Sequence, residues 1–502
     1  MKSLFWSMAL GTATLATARP VEVVQFAQDT AVLPYTIFVS SEAGGRPSPY
    51  TVAVTAVEAV SSMASAVVYG QLVFDDSYAI VPATGDSDDE AENYATLVGY
   101  KELNADLKVL FSVGGPNFPT HAWSKMAADE SARATFVASV QAMASTHSFD
   151  GIEIYWEHPG SSAKTIWVGS NDGGYTAVAD YGGSEDDLTN LVTLLTELRS
   201  AVGDSFLITL SVGRDSGVWA SALSSLNDVV NVYFVKAFDY VVSSRALGGG
   251  SATTAAAQPM SYSPYGSVNE TLLGYISAGM TAYKTTVAVA AHGQAYHLPD
   301  MRRDAWDQFG LDATIPGLCA YPFNDTHGAY PSAATGACGE LTMSEILIGI
   351  ADTTSTVPTP AHDSVSGSDI AFLPRTQTWV SYTGPSAVAA LMELVHTYRL
   401  GGVALHTLDT DVVSAGPSYN LTVELCQNFF GVDDSRCVLV ETTPAPSTDD
   451  CSSGTEGVFC LSDGTGFIFC PQEVTEYCPQ GTVCKPLDST VMCDWPDDYW
   501  RK

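Results

Sequence analysis

Basic residues are scarce in this chain: 21 Lys and Arg stand against 56 Asp and Glu, a formal net charge of -35. Nucleic acid and anionic membranes are held by basic patches, so this balance excludes both as partners and leaves a neutral polymer compatible. Beyond the N-terminus there is no uninterrupted apolar run of about 18 residues, the length that would span a bilayer. No Cys-x-x-Cys pair occurs among the ten cysteines, and the histidines, including His158, His292 and His297, show no metal-ligand spacing. The sequence therefore calls for neither a metal nor another cofactor, and these histidines read as loop or pocket residues.

What is present points to export. Met1-Lys2-Ser3, the apolar stretch from Leu4 to Leu15 and the small residues Ala16-Thr17-Ala18 have the three parts of a secretory signal peptide, with cleavage expected after Ala18. A soluble, secreted, extracellular and monomeric protein is expected. Sequons at Asn269, Asn324 and Asn420 are candidate glycosylation sites. In an oxidising compartment Cys319 with Cys338 and Cys426 with Cys437 read as local disulfides. Six more, Cys451, Cys460, Cys470, Cys478, Cys484 and Cys493, crowd near the C-terminus, where about fifteen pairings are open.

The 502 residues suffice for one barrel-sized domain and a small module. From Pro34 to Asp411 short β-rich runs alternate with helical segments, the pattern of a parallel α/β architecture. Expected strands are Thr36 to Val39, Ala66 to Val73, Lys108 to Val113, Gly151 to Glu157, Phe206 to Val212, Val230 to Phe238, Thr286 to Ala291 and Gly402 to His406. Helical segments include Ser131 to Ser145, Asp186 to Ala201 and Ser386 to Tyr398. Eight such strands favour a TIM (β/α)8 barrel over an open sheet. After Val440 the composition turns to Thr, Pro, Ser and Asp; a linker is expected at 438–450 and a disulfide-held module at 451–495.

The richest stretch is Phe149-Asp150-Gly151-Ile152-Glu153-Ile154-Tyr155-Trp156-Glu157. Its period of two puts Glu153, Tyr155 and Glu157 on one strand face and Ile152, Ile154 and Trp156 on the other. Alone, it also admits the lesser reading of an amphipathic strand with a solvated acidic face. It resembles, however, the Asp-x-x-Asp-x-Asp-x-Glu signature of family 18 glycoside hydrolases, the chitinase family. Lys108 to Gly115, ending Ser112-Val-Gly114-Gly115, resembles that family's third strand, and Phe238-Asp239-Tyr240 its Met-x-Tyr-Asp strand. Trp379 to Tyr382 and Leu400 to Asp411 are similar to its seventh and eighth units, and His292-Gly-Gln294-Ala-Tyr296 stands where the family has Tyr-Gly-Arg. Gly339 to Glu345 resembles the end of a small α+β insertion, expected at about 297–372 within a domain of 34–430. Phe467 to Cys470 and Tyr477 to Cys484 resemble chitin-binding modules of some fungal chitinases; a self-packed disulfide knob is the alternative.

The resemblance implies a partner, chitin or a related N-acetylglucosamine polymer, and a reaction: endo-acting, retaining hydrolysis in which the substrate's 2-acetamido oxygen is the nucleophile. Glu157 would then be the general acid and base, with Asp239, Glu153 and Tyr155 completing the catalytic group. Asp150, Ser112, Gly114, Gly115, Phe238, Tyr240, His406 and Gln294 would contact the sugar. Several positions depart from the family. Tyr155 replaces an aspartate that orients the acetamide, Phe238 lacks a tyrosine hydroxyl, Lys236 replaces methionine, and His406 replaces the tryptophan floor. Glu153 keeps a carboxylate on a longer arm, and Gln294 stands for an arginine. Loss of one placed electrostatic group costs about 10² to 10³ in rate. Hydrolysis is the first reading; a catalytically impaired chitin-binding lectin on the same scaffold is the second.

Overall fold

A computed structural model describes residues 33–40, 54–83, 87–116, 118–160, 164–169, 175–180, 182–241, 256–297, 332, 339–350, 360–373, 378–411 and 421–439, with short strands between 457 and 494. The expected signal peptide, Cys319, Cys338, Asn324, Asn420, most of the linker, and the cysteine side chains of the C-terminal module lie outside the described residues.

Eight strands form the barrel: β1 (Tyr35–Ser40), β2 (Ala66–Phe74), β3 (Lys108–Gly114), β4 (Gly151–Tyr155), β5 (Leu207–Val212), β6 (Val232–Val235), β7 (Thr285–Ala290) and β8 (Gly402–His406). Each runs parallel to the next, and β1 pairs with both β2 and β8, so the sheet closes on itself as a TIM barrel. Phe38, Val68, Leu110, Leu207, Phe234 and Ala404 pack inside the barrel. The opposite strand faces lie under helices, among them α1 (Glu130–His147), α2 (Asp187–Val202), α3 (Val268–Ser277) and α4 (Pro385–Tyr398). Ile152, Ile154 and Trp156 take this outward side, as their alternation implies, and the Trp156 ring stacks on Trp123 at 5.8 Å.

The helix ends follow local chemistry. Asp129 accepts from the Ala132 amide to start α1, Ser267 accepts from Glu270 to start α3, and Pro385 sits in the first turn of α4. α1 and α4 stop at the left-handed residues Ser148 and Arg399. Asn269, one of the sequon residues, is half-buried in α3, and its side-chain oxygen accepts from the Tyr398 hydroxyl at 2.7 Å.

Two expected strands end early. β4 stops at Tyr155, not Glu157, and β6 at Val235, not Phe238. Past Val235 the ladder is replaced by the side chain of Gln258, which donates to the carbonyls of Ala237 and Ala288 at 3.0 and 2.9 Å. Its oxygen accepts from the Ala290 amide and the Thr383 hydroxyl, so no polar atom of this buried amide is wasted. Glu157 and Asp239 consequently sit on loops just above the barrel, free of the ladder's geometry.

A second, antiparallel sheet is inserted after β7. Its strand order is Glu340–Thr342, His292–His297, Thr378–Tyr382, Ser368–Leu373, Ala361–Asp363. The sheet runs wider than 297–372, because its two roots pair with one another, Gln294 opposite Ser381. Trp379 to Tyr382 is thus part of the inserted sheet and not of the barrel wall. The C-terminal module contributes three antiparallel strands, Gly457–Cys460, Gly466–Cys470 and Val474–Tyr477, and a hairpin of Val483–Leu487 with Thr490–Asp494.

The helix Leu421–Phe430 is tied to the following turn by the disulfide Cys426–Cys437, as its spacing suggested. The bridge spans 11 residues of sequence, so removing it with paired Cys→Ala changes should cost about 2–3 kcal/mol by relaxing the unfolded chain. Urea denaturation of the double variant measures this; an unchanged midpoint contradicts it.

Candidate active site

The upper interior of the barrel is polar where the layers below it are apolar. Glu153 on β4 faces inward between Ser112 on β3 and Thr209 on β5. Its carboxylate accepts a hydrogen bond from the Ser211 hydroxyl and lies 3.6 Å from the Lys236 ammonium, both side chains almost wholly buried. Lys236 comes from the residue just after β6, next in the inward series Val232, Phe234, Lys236. Its Nζ rests 3.7 Å from the centre of the Phe38 ring and 5.0 Å from that of Tyr155, a cation held by two aromatic faces and one carboxylate. It has no hydrogen-bond partner among the described residues. Burial lowers its pKa to about 8, and the pull of Glu153 limits the fall.

Tyr155, directly above, is buried. Burial, with Glu157, Glu153 and Asp239 nearby, raises its phenol well above the usual value, so the side chain is neutral at any physiological pH. Glu157 is more exposed than Glu153, with its Oε1 4.0 Å from His158 Nε2.

Asp239 lies at a left-handed φ of 53°. Its Oδ1 accepts from His292 Nε2 at 3.0 Å and from Gln294 Nε2 at 2.9 Å, both on the first strand of the inserted sheet. Arg214 donates to its backbone carbonyl. Burial alone would raise the Asp239 carboxyl, but His292 and Gln294 outweigh it and hold it below the ordinary value. For His292, burial works downward and is overcome by Asp239 and Glu340, which raise it to about 9. His406, at the end of β8, is driven well below the ordinary imidazole value by burial, then by Lys236 and His292. A neutral ring therefore stands between Phe38 and Phe238, each 5.2 Å away.

A cavity of about 390 Å³ opens over these groups. Its lining includes Ser112, Gly114, Glu153, His292, Glu340 and His406. Glu157, Tyr155 and Asp239 border the same end of the barrel without lining that cavity. Gly114 and Gly115 have φ of 106° and 109°; a Cβ on Gly114 would meet the Tyr155 carbonyl at 2.4 Å, and one on Gly115 the Gln71 side chain at 1.9 Å. These two glycines let the β3 loop pass close to β4, and the Gly115 amide bonds the Tyr155 carbonyl.

Two expected sugar contacts are placed elsewhere. Asp150 precedes β4 at the opposite end of the barrel, where its Oδ2 takes the Val109 amide at 2.8 Å and Lys101 Nζ at 2.6 Å. Seven residues of extended chain put it about 20 Å below Glu157, out of reach of the same sugar. Tyr240 turns outward, its hydroxyl 2.6 Å from Thr271 on α3 and its ring beneath Arg214. The structure brings together Glu153, Tyr155, Glu157, Asp239, Phe238, Gln294, His406 and Ser112 with Lys236 and His292, and adds Ser211. Lys236 stands out in the sequence as an odd cation in an inward series; the pairing of His292 with Asp239 has no local signal. Among the described residues no cluster of three or more His, Cys, Asp or Glu could hold a metal ion, and no helix is long and apolar enough to cross a membrane.

The closed barrel carries these ionisable groups at the C-terminal ends of its strands, the face on which TIM-barrel sites are built. Residues 35–411 match the model of the glycosyl hydrolases family 18, and the chain belongs to that family. It is 24% identical over 352 residues to chitinase-like protein Idgf4 of Glossina morsitans morsitans, covering 63% of this chain and 75% of that protein. Among solved structures, Ostrinia furnacalis Group IV chitinase in complex with allosamidin superposes with a TM-score of 0.62 at 21% identity, over 80% of this chain and 98% of that one. Human YKL-39, described as a pseudo-chitinase with retained chitooligosaccharide binding properties, gives 0.60 at 18% identity, over 79% and 99%. Proteins that share this fold thus include one described as a chitinase and one described as a pseudo-chitinase.

Proposed function

We propose that this protein binds N-acetylglucosamine oligomers at the top of the barrel and holds them without efficient cleavage. The observation that carries the reading is the buried Lys236 ammonium beneath Tyr155. Cleavage assisted by the 2-acetamido group builds positive charge on the sugar, and the family meets it with a carboxylate at the position of Tyr155. Here that position is a neutral phenol with a fixed cation 5.0 Å from its ring. Two unit charges about 6 Å apart repel by roughly 3 kcal/mol at an effective dielectric of about 20, before Glu153 offsets a part. Added to the missing carboxylate, worth about 10² to 10³ in rate, this works against turnover far more than against binding a neutral sugar.

The solved relatives support the binding half: YKL-39 retains chitooligosaccharide binding as a pseudo-chitinase. The proposal includes export by residues 1–18, a monomeric state, and residues 451–495 as a second chitin contact that raises avidity on insoluble polymer. Incubating the purified protein with N-acetylglucosamine hexamer is expected to return intact hexamer by mass spectrometry, while calorimetry detects binding that Glu157→Gln leaves within about twofold. Shorter products that vanish in Glu157→Gln would establish a hydrolase instead.

A further inference from the structure

His292 combines three properties that the binding reading does not yet use. It lines the cavity, it bridges the barrel and the inserted sheet, and its Nε2 is committed to Asp239 Oδ1 at 3.0 Å. Its other nitrogen, Nδ1, has no hydrogen-bond partner among the described residues. The edge of the Phe238 ring, 5.8 Å away, fixes the imidazole plane. A ring so held is a preset donor: one nitrogen is anchored, and the other is left to a ligand.

We propose that His292, anchored through Nε2 to Asp239 at the wall of the cavity, is a specificity-determining residue that donates its Nδ1 hydrogen to an acceptor oxygen of the bound acetamido sugar. This rests on the oligomer-binding reading and deepens it. The anchor explains why the donor is charged: the carboxylates of Asp239 on the β6 loop and Glu340 on the neighbouring inserted strand outweigh burial and raise the ring to about 9. The other charged or titratable groups around it are the neutral His406 from β8, Lys236 behind that ring, and Arg214, which faces Asp239 from the far side. Glu345, further along the inserted segment, is occupied by Thr342 and Ser332. A charged donor makes a hydrogen bond about twice as strong as a neutral one, and a sugar oxygen accepts it without bringing a charge into an already acidic site.

The sign of the pH dependence follows. The donor is charged below about pH 9, so affinity is flat through neutrality and falls as the ring loses its proton. Lys236 also titrates in this region, near 8, so the comparison has to isolate His292. His292→Gln does so: the amide can still reach Asp239 but has neither the charge nor a donor at the Nδ1 position.

The test is calorimetric titration of the full chain with N-acetylglucosamine tetramer from pH 6.5 to 10. Wild type is expected to bind with constant affinity to about pH 8 and to lose about tenfold by pH 10, in line with a charge-assisted hydrogen bond. His292→Gln should bind about tenfold more weakly at pH 7 and lack most of the alkaline loss. A His292→Gln variant that matches wild type at pH 7, or keeps the whole alkaline step, overturns the assignment. Folded wild type that binds no tetramer at pH 7 overturns the oligomer-binding reading and this one together, whereas pH-independent binding by wild type overturns this one alone. Should His292→Gln not fold, the histidine ring carbon resonances of wild type decide: tetramer must shift the His292 signal and raise its titration midpoint, and an unmoved signal refutes the contact.

Discussion

Replacing Tyr155 by Asp, Phe238 by Tyr and Lys236 by Met together is expected to raise hydrolysis of N-acetylglucosamine oligomers by at least about 10²-fold over wild type. Each change answers one feature of the site. Tyr155→Asp restores a carboxylate beside the acetamide, and Phe238→Tyr restores a hydroxyl between His406 and His292. Lys236→Met removes the buried cation from the Phe38 and Tyr155 rings with a side chain of similar length. Tyr155→Asp alone should gain little, since Lys236 would pair with the new carboxylate as it now pairs with Glu153. Rates on a chromogenic oligomer, read for single and triple variants with Glu157→Gln as the blank, check this. A triple variant that folds, binds and still yields no product would place the block elsewhere, with the environment of Glu157 as the next suspect.

The second large effect is on stability. Lys236→Met by itself should destabilise the protein by about 3–5 kcal/mol, because Glu153 would remain as a buried carboxylate whose one opposite charge is gone. Among the described residues, only Ser211 would still hydrogen-bond it. Adding Glu153→Gln should return most of that loss, since a buried ion pair replaced as a unit by uncharged groups of similar volume is often neutral. Denaturant melts of the two single variants and the double variant form the cycle. Additive losses, with no recovery in the double variant, would mean that the two residues act independently and that the ion pair has no energetic reality. The triple variant above therefore carries a stability burden, and its activity is best read at low temperature.

Much of this arrangement is legible in the order of the residues alone. The eight parallel strands lie within a few residues of where short β-rich runs place them, and the outward side of β4 holds Ile152, Ile154 and Trp156 as period two demands. The same arithmetic, followed further, removes Asp150 from the site. Seven residues from Glu157, it lies at the far end of its strand, where it ties Val109 and Lys101. Motif resemblance draws it in against the geometry. Tyr240 is misplaced for a different reason: its strand ends at Val235, and the irregular turn that follows sends Asp239 inward and Tyr240 beneath α3. Strand periodicity says nothing once the ladder stops. The partnership of Asp239 with His292 and Gln294 joins residues more than fifty positions apart, and only the docking of an inserted sheet on the barrel brings them together.

The two sheets also differ in how they avoid sticking to other molecules. The barrel pairs β1 with both β2 and β8, so its ring of eight strands offers no open row of backbone donors and acceptors. The inserted sheet cannot close, and it ends on both sides in strands of only three residues, Glu340–Thr342 and Ala361–Asp363. A strand that short gives an incoming chain one or two ladder bonds, too few to template growth. The outer strand Ala361–Asp363 also carries His362 and Asp363, polar side chains that an added apolar strand would have to cover. A site wall built from β-structure is thereby kept from recruiting the edges of its neighbours, in one sheet by closure and in the other by brevity.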